Sequence, residues 1–118
     1  MSTFDPRDLD RLAQDVDNWP FTVSFAHTYR RLLPQRVERI VTATEVGDLE
    51  GALDATLSLR VASSIVGTLE LVEMARFIEG RLRLGDVVGA LARVRLVPAA
   101  AERADRALAS YLVEYADS

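Results

Sequence analysis

The chain has 118 residues, about half apolar and about a quarter charged, with a formal net charge of −4. That length suits one domain around one core, and the negative balance argues against a general nucleic-acid binder. Cysteine and lysine are absent and His27 is the single histidine, which excludes disulfides, thiolate metal sites, Schiff-base lysine chemistry and an all-histidine metal site within one chain.

Helix punctuation dominates from the start. In "FDPRD", Asp5 reads as an N-cap, Pro6 as the first helical residue and Asp8 as a favourable first-turn acid. Leu9, Leu12, Ala13 and Val16 then predict a short amphipathic helix over 5–17, stopped by "NWP" at Asn18 to Pro20. A long helix is expected from about Phe21 to Val46, with Phe25, Tyr29, Leu32, Leu33, Val37 and Ile40 at helical spacing and Pro34 kinking it. "VGDLE" stops that helix at Gly47 and restarts the chain at Asp48. A third helix runs to Val66 and Gly67. A fourth starts near Thr68 with Leu71, Val72, Ala75, Ile78 and Leu82. Gly85 and Asp86 repeat the stop and restart. One last helix to about Tyr115 carries Leu91, Val94, Ala101, Leu108 and Leu112, bent at Pro98. Short connectors favour antiparallel neighbours. The expected fold is therefore all-α: one domain over 1–118, with an antiparallel up-down four-helix bundle at 21–115 and a short N-terminal helix.

The third helix has two apolar sides. On a helical wheel Ala52, Ala55, Leu59, Ala62 and Val66 form a small-residue stripe suited to close packing. Leu53, Leu57, Arg60, Val61 and Ser64 fall opposite. Either this helix is buried all round, or the second stripe meets a partner. A third arrangement has Leu9, Leu12 and Val16 of the N-terminal helix fold over the stripe.

In "LSLRVASSIVG", Leu57 to Gly67, the residues Leu59, Arg60, Ser63 and Gly67 stand at the spacing of a known motif. Its form is His-x-Leu-Lys-Gly-Ser-Ser with a glycine ten residues after the histidine. The upstream "EVGDLEGALDATLS" is similar to the helix-turn-helix that leads into that motif, and "FAHTYRRLLPQRVERI" to the long helix before it. Residues 21–115, about four-fifths of the chain, thus resemble the histidine phosphotransfer (HPt) domain, the four-helix bundle that relays phosphoryl groups in two-component signalling.

The departures are chemical. The phospho-accepting histidine falls on Leu57, the motif glycine on Val61 and the first serine on Ala62. A hydrocarbon cannot attack an aspartyl phosphate, and a β-branched valine fills the space that the glycine leaves open. The resemblance implies a degenerate, non-phosphorylatable HPt-like domain that is not itself an enzyme. It would bind a response-regulator receiver domain or a histidine kinase through Leu53, Leu57, Arg60, Val61 and Ser64. Arg60 would supply charge towards an acidic pocket, and Leu57 and Val61 buried area.

Other residues offer alternatives. His27 in "FAHTYRR" is predicted to face solvent, and Arg30 and Arg31 would stabilise a phosphorylated imidazole. A phosphotransfer protein using His27 is one alternative, and a homodimer through the third-helix stripe is another. Ser63 and Ser64 lack a nearby base and are expected to bond back to the preceding helical turn. Glu70, Glu73 and Glu79 read as a solvated face. Arg30, Arg31, Arg36 and Arg39 read as a charged surface first and an anion-binding run second. No EF-hand loop or comparable carboxylate cluster appears, so neither metal nor cofactor is expected. No run of about 18 apolar residues suggests a membrane span. The acidic "MSTFDPRDLD" lacks a signal-peptide layout, so a cytoplasmic location is expected.

Overall fold

The computed structural model describes residues 4–16 and 19–116, apart from the side chains of 12–16, 19–21 and 115–116. Every regular element among the described residues is helical: α1 (Pro6–Val16), α2 (Trp19–Glu45), α3 (Leu49–Val66), α4 (Leu69–Arg83), α5 (Val87–Val94) and α6 (Val97–Tyr111). A π-helical turn, Leu112–Ala116, continues α6.

The longest helix, α2, sets the dimensions of the fold. Its 27 residues span about 40 Å at 1.5 Å per residue, close to the 44 Å long axis of the molecule. Thr22, Ala26, Tyr29, Leu33, Val37, Ile40 and Thr44 are buried. They recur at steps of three and four, the spacing of a single core-facing stripe. The helix continues through Pro34, which has no N–H to offer the Arg30 carbonyl four residues back.

Local chemistry defines the turns. The Asp48 carboxylate accepts the Gly51 amide at 3.0 Å, and the Asp86 carboxylate accepts the Gly89 amide at 2.9 Å. Each aspartate thereby satisfies a first-turn donor of α3 or α5. A Cβ on Gly51 would stand 2.3 Å from Asp48 Oδ2, so a larger residue there would shift the capping carboxylate.

Packing follows the small residues. Ala52, Ala55, Leu59, Ala62 and Val66 are buried, and α3 packs between α2 and α4. α5 and α6 pack on both α2 and α4. Buried threonines are satisfied internally: Thr44 Oγ1 donates to the Ile40 carbonyl and Thr56 Oγ1 to the Ala52 carbonyl, each at 2.7 Å.

The expected single last helix is two. α5 ends at Val94, and α6 restarts at Val97 with Pro98 in its first turn. A proline deeper in a helix would press its ring on the carbonyl four residues back, here that of Val94. The break places it where no N–H is needed. The proline separates two helices instead of bending one.

α1 bridges distant parts of the chain. The Arg7 amide donates to Asp5 Oδ1 at 3.0 Å, as expected of an N-cap. The Asp5 amide donates to the Gly67 carbonyl at 2.8 Å. Gly67 has φ of 85°, and a Cβ there would meet the Asp5 carbonyl oxygen at 2.5 Å, so the site tolerates only glycine. Leu9 is fully buried. Tyr111 donates its phenol to Asp10 at 2.9 Å and packs edge-on against Phe4. The predicted stop at Asn18 lies outside the described residues, and α2 already begins at Trp19.

Candidate functional site

On the side of α3 away from its alanine stripe, apolar residues follow one another at every fourth position. Leu49, Leu57, Val61 and Ile65 are 38, 39, 48 and 38 % exposed, and Leu53 between them is half-buried. From 49 to 65 the row extends about 24 Å along the helix. Of the expected stripe, Leu57 and Val61 are exposed, Leu53 packs partly against the core, and Ser64 beside them is exposed. α1 packs on α2 and α3 but leaves Leu57 and Val61 open. The side chains of Leu12 and Val16, which that covering would have used, lie outside the described residues. Leu49 and Ile65 extend the row beyond the predicted residues. Their signal was in the sequence, as the i+4 continuation of Leu53 and Val61.

Charge borders this row on both sides. Arg60 Nε donates to Glu79 Oε2 at 3.2 Å, and Arg83 Nη2 donates to Glu79 Oε1 at 2.8 Å. The expected free charge of Arg60 is thus shared with a carboxylate on α4. Glu79 does not belong to a solvated face: its side chain is 15 % exposed. Hydrogen bonding from Arg83 holds the Glu79 carboxyl below its ordinary range; partial burial opposes this, and the nearby Arg60 charge assists. Two arginines around one glutamate leave a net positive charge. Arg83 also borders an open groove with Leu53, Leu57, Asp54 and Glu50. On the α2 side Arg39 lies 3.5 Å from Asp54. Sequence reading missed Arg83 because no spacing rule joins α4 to α3.

Ser63 departs from expectation. Its hydroxyl bonds across to the Tyr29 phenol at 2.8 Å, and that phenol also bonds Thr68 Oγ1 at 2.8 Å. Tyr29, Ser63 and Thr68 are all buried. Burial raises the Tyr29 pKa, while the two hydroxyl contacts oppose the rise. A serine turned inward and committed to this triad is unsuited to act as a surface nucleophile.

The arginine run on α2 is likewise partly committed. Arg30 pairs with Asp105 of α6 through two contacts, 2.8 and 3.3 Å, so it reaches towards α6. His27 is exposed, as its place opposite Tyr29 predicts. Glu70 bonds Arg103 across to α6 at 2.9 Å. Among the described residues no group of three His, Cys, Asp or Glu side chains is placed to hold a metal ion, and no helix is long and apolar enough to cross a membrane.

Leu57, Val61 and Ile65 carry no nucleophile, acid or base, so what these three side chains offer is apolar area. No family model, curated protein or solved structure matches the chain.

Proposed function

We propose that this chain is an HPt-like bundle acting as a binding module in two-component signalling. A receiver domain or a kinase partner docks on the α3 row, and no phosphoryl group is accepted there. The observation that carries the reading is the outward position of Leu57, with Val61 one turn further on. A side chain at the spot where the family keeps its imidazole is accessible, yet it is a hydrocarbon.

Helix connectivity supports the proposed fold. α3 packs on α2 and α4, and α5 and α6 each pack on both α2 and α4, contacts that a four-layer bundle would make. Turns of three residues at Val46–Asp48 and two at Gly67–Thr68 suit antiparallel neighbours, with α5 and α6 together as the fourth member and α1 as an addition to the bundle. Arg60 and Arg83 around Glu79 give one border of the row a positive charge suited to an acidic receiver pocket, while Asp48, Glu50 and Asp54 line the groove at Leu53 and Leu57. Such partners place the module in the cytoplasm.

Titration calorimetry against a panel of receiver and kinase domains tests this reading. Binding to a member of the panel should weaken more than about tenfold in Leu57→Asp, with the variant still folded and unfolding cooperatively. Failure of every domain to bind, or equal binding by the variant, would overturn it. Incubation with a phosphorylated receiver should leave no acid-labile phosphate. Label on His27 would establish the phosphotransfer alternative instead, and concentration-dependent sedimentation that Leu57→Asp abolishes would establish the homodimer.

A further inference from the structure

A second concave feature lies where α2 meets α6. It is a cleft of about 390 Å³ lined by those two helices alone. Its walls are apolar: Leu33 and Val37 from α2 and Ala101 from α6 are buried, and Pro34, Val41 and Pro98 complete them. Ala101 contributes only a methyl group where a larger side chain would fill the gap. The volume falls at the lower end of the ~300–1,000 Å³ typical of small-molecule sites.

Charge at the mouth selects among ligands. Arg30 and Asp105 close one end, and their paired contacts at 2.8 and 3.3 Å offset each other's charge. Glu38 on α2 and Glu102 on α6 are exposed at the rim. Among the described residues neither is ion-paired. An apolar slot with two uncompensated carboxylates at its edge favours an apolar body carrying a positive head, and it repels the same body carrying a negative one.

We propose that this cleft binds a small cationic amphiphile, its apolar part against Leu33, Val37 and Ala101 and its ammonium group held at the rim by Glu38 and Glu102. The site is independent of the α3 row, and its occupant is a free small molecule, as the cleft volume suits.

The matched probes 4-phenylbutylamine and 4-phenylbutyrate share an apolar body and differ in the sign of their charge. In amide NMR titrations of the full chain, the amine should give saturable shifts at Val37, Val41 and Ala101. Its affinity should exceed that of the carboxylate by about fivefold, the scale of one exposed ion pair. The double variant Glu38→Gln, Glu102→Gln changes only exposed side chains and should bring the amine down to the affinity of the carboxylate. Absence of saturable shifts with the amine, equal affinity of the two probes for the unsubstituted chain, or unchanged amine affinity in the double variant would each overturn the proposal.

Discussion

Tyr29 on α2 and Ser63 on α3 share a hydrogen bond of 2.8 Å across 34 residues of chain, and the same phenol reaches Thr68 at the start of α4. One side chain thereby ties three helices at a buried point. Tyr29→Phe should destabilise the fold by about 1–3 kcal/mol, because it strands the buried Ser63 hydroxyl and leaves Thr68 Oγ1 only its 3.4 Å contact to the Ser63 carbonyl. Ser63→Ala should cost less, since Tyr29 keeps Thr68. Urea unfolding midpoints of the two variants check the order.

Leu57 and Leu59 are neighbours in sequence with opposite surroundings. Leu57→Asp, at a site 39 % exposed, should cost about 1–2 kcal/mol through lost apolar area and helix propensity and still leave a cooperative fold. Leu59→Asp would bury a charge in the core and should prevent cooperative folding. Thermal unfolding followed by circular dichroism separates the two.

At Gly67 the backbone has a positive φ and Asp5 lies against it. Gly67→Ala should therefore cost at least about 1–2 kcal/mol and loosen α1 before the rest. Limited proteolysis should cut residues 4–16 faster in the variant, at a protein concentration where the core still resists.

Glu79 gives acid sensitivity with a defined sign. Its carboxyl sits below the ordinary value of 4.5 in the folded chain, chiefly through Arg83. The folded state thus favours the ionised form. That stabilisation is present above the unfolded pKa and is lost as the pH falls through the folded one. Glu79→Gln should cost roughly 0.5–1 kcal/mol at pH 7. The gap between the two proteins should close on acidification below about pH 4.5, as read from urea midpoints across that range.

Removing a cap tests the turn chemistry. Asp48→Ala leaves the Gly51 amide without its carboxylate partner and should cost about 1 kcal/mol. Hydrogen exchange should quicken at the first turn of α3.

Much of the fold was legible because its signals are local. Asp5, Asp48 and Asp86 act within three residues of themselves, and glycine stops need no tertiary partner. The α3 stripes could be read from one helix as well, since exposure there follows from angle around the axis. What escaped depends on contacts between helices. Ser63 could satisfy its hydroxyl in its own turn, and only the arrival of Tyr29 decides otherwise. Glu79 resembles its solvated neighbours in sequence until Arg60 comes alongside from α3. Pro98 signalled an interruption, but whether it bends a helix or begins one depends on how α5 and α6 pack on α2 and α4.

The bond from Tyr111 to Asp10 spans 101 residues, and this has a consequence for biosynthesis. α1 leaves the ribosome ahead of α2 to α6, yet Tyr111, one of the residues that hold it, is translated 101 residues after Asp10. Formation of that bond is accordingly a late event, and a nascent chain halted before α6 would hold α1 through α2, α3 and Gly67 without it.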